Sequence, residues 1–242
     1  MRIHYAISLS VLTAVLTASC EHDSYDTGEG QYSRLHTDYV TIKVRDNYVQ
    51  SITTDEDKVL SLGREMKIDV EPKDTTLRWL LYYNGTRRDE PQANNNNNNE
   101  NIEIVGSNPM FLLKPIDRSE VITMKTDPVT VTSVWMASNG KYLNLRLGLK
   151  TGNSDGAAKH SVALVRSGVS GDVVYYTLYH DQADVPQYYT QEYFFTVETL
   201  EMGREEAALA GQGKKVIDLT IQTYNGTWHR QFTVHSAQFT VE

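Results

Sequence analysis

Gly152-Asn153-Ser154-Asp155-Gly156 carries the letters of the G-x-S-x-G turn that lifts a nucleophilic serine above a parallel sheet. That turn works between a strand and a helix, and His160, eight residues further on than Gly152, would have to reach the serine as its base. Here the run that follows, Ser161–Val165, is strand-like, and Gly, Asn, Ser and Asp are ordinary loop residues. A serine hydrolase at Ser154 is therefore the remote reading. His180, Asp181 and Asp184, with His160 as a fourth group, are of the types that ligate metals, but their spacing enforces no converging shell. His229 and His235 share the wet face of one expected strand, about 20 Å apart at 3.3 Å per residue, too far to share an ion. The chain has no P-loop, H-E-x-x-H or Rossmann glycine pattern. The reading is a non-enzyme with no catalytic residue, no metal site and no cofactor.

Recognition chemistry is better represented. Tyr188 and Tyr189 follow Pro186 at an expected loop or strand entry, where two aromatic rings are hard to account for as core. Exposed aromatic side chains mark surfaces that bind proteins or sugars. With Asp181 and Asp184 on the same polar turn, these are the candidate binding residues. Packing of both rings over a sheet edge is the structural alternative. A net charge of −8 repels phosphate backbones, so nucleic acid is not an expected partner.

The chain holds one cysteine, Cys20, and so no intramolecular disulfide. Residues 1–19 read as a signal peptide. Arg2 and His4 precede the uncharged run Tyr5–Leu16, which is shorter than the roughly 20 residues of a spanning helix. Leu16-Thr17-Ala18-Ser19-Cys20 resembles the lipobox of bacterial lipoproteins, with Thr17 where Leu is commoner. That resemblance implies cleavage before Cys20 and its acylation; several acyl chains anchor stably where a single one does not. Residues 20–34 are polar and acidic without apolar periodicity, the composition of a flexible tether. The acidic run after Cys20 resembles the export signal of surface-exposed lipoproteins in Bacteroides-type bacteria. The implied address is the outer membrane, facing the cell exterior, with the periplasmic face as the alternative.

The elements that must hold these residues are strands. Fifteen Tyr, with many Thr and Val, suit a pleated, half-buried surface. Candidate strands in the first half are Tyr39–Val44, Tyr48–Thr54, Met66–Val70, Leu77–Tyr83, Ile102–Val105 and Met110–Leu113. In Met66–Val70 apolar and charged residues alternate. Strands at this spacing suggest a small barrel or sandwich. The tract Asn94–Asn99 is a loop to which no role is assigned. Asp127-Pro128 marks a boundary.

Beyond it, Asn139-Gly140 and Asn225-Gly226 suit two-residue type I′ turns. The first pairs Val134 with Leu145 and Met136 with Leu143, and leaves Trp135 and Asn144 on the other face. The second pairs Thr223 with Trp228, Ile221 with Arg230, Leu219 with Phe232 and Ile217 with Val234. Asp218, Gln222, His229, Thr233 and His235 then point to solvent. Ser161–Val165, Val173–His180 and Glu192–Val197 complete the set. Val173–His180 is apolar on both parities and is expected at a sheet centre, covered on both faces. Glu201–Ala210 is the one expected helix, closed by Gly211 and Gly213.

Asp127-Pro128-Val129, Gly140-Lys141-Tyr142-Leu143-Asn144-Leu145, Lys159–Val165 and Leu178-Tyr179-His180-Asp181 resemble, in order and spacing, the NigD-like lipoproteins of Bacteroides-type bacteria. The resemblance covers roughly residues 127–235 and extends more weakly to 34–118, where the Asn tract looks like an insertion. It implies an all-β chain: an OB-type barrel at 35–118, then an antiparallel β-sandwich at 127–242, behind the 1–19 signal peptide and 20–34 tether. The founding member is associated with a bacteriocin operon. The expected function is a non-catalytic, lipid-anchored protein that binds a protein or glycan at the cell surface. Its partners are the membrane, through acyl chains on Cys20, and that macromolecule. The alternative is an immunity lipoprotein against a secreted bacteriocin.

Overall fold

The computed structural model describes residues 35–85, 100–152, 159–199 and 214–235. Cys20 with the signal peptide and tether, the Asn94–Asn99 tract, Ser154 and the expected helix Glu201–Ala210 all lie outside the described residues.

Five strands, β1 Leu35–Arg45, β2 Tyr48–Thr54, β3 Val59–Leu62, β4 Thr75–Gly85 and β5 Glu100–Pro109, close into a barrel in the order β1-β2-β3-β5-β4. The β3–β5 pair is parallel, while β1–β2, β2–β3 and β4–β5 are antiparallel. This is the five-stranded closure of an OB-type barrel. Alternation writes it directly: Val40, Ile42 and Val44 turn inward to meet Ile52, Leu81 and Tyr83, while Thr41 and Lys43 turn outward. Asp46 and Asn47 join β1 to β2 with φ of +51° and +67°, the two positive values a type I′ turn requires.

Met66–Val70 is not a strand. Lys67 makes one isolated bridge to Tyr48, and two backbone bonds, Val49 N–H to the Met66 carbonyl and Ile68 N–H to the Asn47 carbonyl, hold the segment in place. Its alternation still does work, because Ile68 and Val70 pack on the barrel core.

The next two strands leave the barrel. β6 Phe111–Leu112 pairs in parallel with β12 Tyr189–Glu198, and β7 Pro115–Asp117 pairs in parallel with β10 Ser161–Ser170. The chain thus enters the sandwich by Phe111, inside the span 35–118 expected for the barrel and well before 127. Strands of two and three residues are too short to show a period, which is why their allegiance escapes a pattern reading. One sandwich sheet has the order β6-β12-β9-β8, with β8 Thr130–Met136 and β9 Tyr142–Thr151. The other has the order β14-β13-β11-β10-β7, with β11 Val173–Asp181, β13 Lys214–Thr223 and β14 Gly226–His235. Leu143, Leu145 and Leu147 from the first sheet meet Leu164, Leu178 and Leu219 from the second in the core.

The two Asn-Gly hairpins differ from expectation in their turns. Val134 does pair with Leu145, Trp135 with Asn144 and Met136 with Leu143. The ladder stops at Ala137 and Tyr142, however, with a turn bond from Gly140 N–H to the Ala137 carbonyl, and only Gly140 of the pair has positive φ. At the C-terminal hairpin, Thr223 pairs with Gly226, Ile221 with Trp228, Leu219 with Arg230 and Ile217 with Phe232. The register is shifted by two, so every residue keeps its expected face while changing partner. Thr223 Oγ1 donates to the Gly226 carbonyl at 2.6 Å, and Tyr224-Asn225 form the tip. Asp218 is buried, not solvated; it accepts from Gln231 and pairs with His229 at 2.6 Å.

β11 lies at the centre of its sheet, but only its Val174, Tyr176, Leu178 and His180 side is buried. The strand covered on both faces is β9. Its leucines enter the sandwich core, and Asn144, on the opposite face, is buried under the barrel. Barrel and sandwich belong to one compact unit that begins at His36.

Candidate functional site

The residues with recognition chemistry gather where β11 passes into β12. Next to the end of β11 stands His180, a buried ring whose Nδ1 lies 2.9 Å from the Asp127 carbonyl. A carbonyl only accepts, so the Nδ1 proton of His180 is donated there and Nε2 is left to accept. His160 Nδ1 supplies that proton at 2.9 Å, and the two rings stack with centroids 5.1 Å apart. Burial first, and then the neighbouring His180, hold the His160 imidazole below its ordinary value; the Lys150 backbone opposes the shift without bonding Nε2, which is buried and unpartnered. A hydrolase at Ser154 would have to draw on a ring committed in this way.

The loop after β11 is pinned by its backbone. Gln182 N–H donates to Asp127 Oδ2 at 2.8 Å, and Gln182 Nε2, itself buried, donates to the carbonyls of Lys150 and Val185. Asp181 accepts from Ala183 N–H at 2.9 Å and faces Lys125 at 3.4 Å; the Ala183 bond, more than the lysine, holds its carboxyl below the usual range. Tyr188 N–H closes the loop on the Thr151 carbonyl at 2.9 Å. Asp184 and both tyrosines are left exposed, Tyr188 at 80% and Tyr189 at 52%. The Tyr188 ring and Pro186 lie directly over Gly152, where a Cβ would come within 2.6 Å of the ring. Only glycine leaves room for this approach.

Beside the loop a cavity of about 450 Å³ opens between the two sandwich sheets, within the size range of small binding pockets. Val185 of the loop lines it, with Phe111, Tyr193 and Phe195 from one sheet and Val162 and His160 from the side of the other. Lys159 adds an exposed cation. Sequence reasoning found the loop and missed the cavity, since Phe111 and Tyr193 lie far apart in the chain and read as strand core. Among the described residues no three His, Cys, Asp or Glu side chains converge as metal ligands, so His180, Asp181 and Asp184 are not brought together in that role.

The sequence from 112 to 234, just over half of the chain, matches the NigD-like C-terminal beta sandwich domain. The chain belongs to the NigD-like family. Solved structures share the fold at low identity. A NigD-like immunity protein from Bacteroides caccae superposes with a TM-score of 0.62 at 20% identity, over 83% of this chain and 97% of its own. A candidate lipoprotein from Bacteroides fragilis gives 0.58 at 14% identity, over 84% and 98%. A candidate toxin-related protein from Parabacteroides distasonis gives 0.61 at 14%, over 84% and 95%. No curated protein matches the sequence. The NigD-like match starts at residue 112, within β6, in keeping with the entry of β6 and β7 into the sandwich sheets.

Proposed function

We propose that this NigD-like protein is a non-catalytic lipoprotein, held at the outer membrane by acyl chains on Cys20, whose sandwich recognises a macromolecule at the cell surface. One observation carries the reading. Hydrogen bonds that Gln182 donates to the Asp127 carboxylate and the Lys150 carbonyl fix a loop that presents Tyr188 and Tyr189 to solvent beside an apolar cavity. Exposed aromatics on a backbone pinned by hydrogen bonds, beside a preformed cavity, suit recognition, because little backbone entropy is lost on binding. Asp184 lies on the same exposed turn, and Asp181 anchors it. Protein and glycan both remain within this chemistry.

The anchor is tested by metabolic labelling with radioactive palmitate, in which Cys20→Ser should abolish incorporation; undiminished label would overturn it. The recognition loop is tested by a photo-crosslinker placed at Asp184 in intact cells, with and without Tyr188→Ala and Tyr189→Ala. A cross-linked species that disappears in the double variant supports the reading, and one that persists rejects it. An immunity function is the second reading, favoured by the description of the Bacteroides caccae relative. It predicts that deleting the gene sensitises cells to a co-encoded bacteriocin, and equal killing of deleted and wild-type cells removes it.

A further inference from the structure

Among the described residues the sandwich is unfinished along one flank. β9 covers β12 on one side over its whole length, whereas on the other side β6 reaches only Phe195 and Thr196. The direction of the backbone groups follows from two bonds. Thr199 N–H donates to the Lys141 carbonyl, so odd-numbered residues of β12 face β9; Leu113 N–H donates to the Thr196 carbonyl, so even-numbered ones face away. Thr190 and Glu192 therefore aim N–H and C=O at the side where, among the described residues, the sheet stops. Among the described residues the facing sheet stops at the same place: β7 pairs with Leu164, Val165 and Arg166 of β10 and not with Ser161–Ala163. The apolar cavity lies between these two interrupted edges, walled by the inward residues Tyr193 and Phe195 on one side and Val162 on the other.

Resting on the reading of this flank as a recognition site, we infer that the partner is an extended, apolar-rich peptide segment of another protein, added to β12 as a strand in line with β6. Its backbone pairs with Thr190 and Glu192, and alternate side chains enter the cavity against Tyr193, Phe195 and Val162. Over Tyr189–Tyr193 the open edge spans about 17 Å at 3.3–3.4 Å per residue, enough for a strand of about five residues. The exposed Lys159 at the cavity wall complements a carboxylate on that segment, in a chain that is otherwise net acidic. A lipid or a glycan can fill a cavity, but neither pairs with a row of peptide N–H and C=O groups, and it is this row that selects a polypeptide.

The test uses the full-length chain in detergent micelles and a phage-displayed library of linear nonapeptides. Selected sequences should alternate apolar and polar residues. A synthetic selected peptide should slow hydrogen exchange at the Thr190 and Glu192 amides at least tenfold at saturation. Methylating alternate backbone nitrogens of that peptide, with its side chains unchanged, should weaken binding at least tenfold. Leu112→Trp, which narrows the cavity mouth from an exposed position, should do the same, and Lys159→Glu should weaken peptides with an acidic residue most. Equal affinity of the methylated peptide, no protection at Thr190 and Glu192, or selection of the same sequences on the Leu112→Trp chain would overturn strand addition. If the cross-link at Asp184 persists in Leu112→Trp cells and depends on Tyr188 and Tyr189, strand addition fails while the recognition loop stands. Peptide binding without any cross-link in cells has the reverse meaning.

Discussion

Arg78 of the barrel strand β4 and Asp55 after β2 face each other as a fork on a fork, Nη1 to Oδ1 at 2.7 Å and Nη2 to Oδ2 at 3.0 Å. The guanidinium is buried, lies 3.9 Å from the centroid of the Tyr142 ring, and donates to Asn144 Oδ1 of the sandwich at 3.3 Å. Asn144 Nδ2 returns a bond to Asp55, and Thr196 Oγ1 donates to Asn144 Oδ1 at 2.8 Å. One buried network thus ties β4 and the residue after β2 to two sandwich strands, β9 and β12.

Removing either member leaves the other charge buried. Arg78→Ala should destabilise the protein by about 3–5 kcal/mol, the range for one partner of a buried pair. Urea unfolding followed by far-ultraviolet circular dichroism and by tryptophan fluorescence should then lose coincidence, with Trp135 reporting the junction through its contact with Tyr39, 4.9 Å between centroids. An unchanged midpoint and superimposed curves would show that the pair does not couple barrel to sandwich.

The half-buried His160 makes stability depend on pH with a definite sign. Its folded value lies below the unfolded one, so the unfolded chain binds more protons between the two values. Its contribution is complete above about pH 6.5, the unfolded value, and is lost as pH falls towards the folded one. Urea midpoints measured from pH 8 to pH 5 should therefore decline more steeply for the wild type than for His160→Gln. Parallel profiles would mean that the ring does not titrate within this range.

Gly152 is the seat on which Tyr188 rests. With a Cβ built there 2.6 Å from the ring and 2.9 Å from Pro186, Gly152→Ala must displace both residues. Since Tyr188 is mostly exposed, global stability should change by less than about 1 kcal/mol. Cross-linking at Asp184, by contrast, should fall severalfold. A large loss of stability with cross-linking intact would make Gly152 a structural residue only.

Much of this fold can be read from one sequence because alternation has a fixed meaning. Val40, Ile42 and Val44 announce the barrel face of β1, and Val134 and Met136 find Leu145 and Leu143. What alternation cannot distinguish is a shift of two, which preserves every face; this is how Ile217 comes to face Phe232 in place of Val234. Nor does it distinguish a solvated polar residue from one buried by another domain. Asn144 and Arg78 are polar residues of strands, and both are buried because the barrel sits on β9. Tyr188 and Tyr189 stood out because aromatic rings in a polar loop have no core to join. The cavity beside them did not, since its walls come from both sheets and from the connection before β7.

The short passage Phe111–Asp117, which stitches one sandwich sheet and then the other, has a consequence for how this molecule can be cut. A fragment starting at Asp127 would carry two sheets each stripped of an edge strand, and such raw edges adhere to one another. A fragment starting at Met110 brings its own selvedge. The inheritable block, the piece that could be moved between chains and still fold alone, therefore begins upstream of the proline that marks the boundary in the sequence, at Met110, the residue between the barrel's final strand and β6.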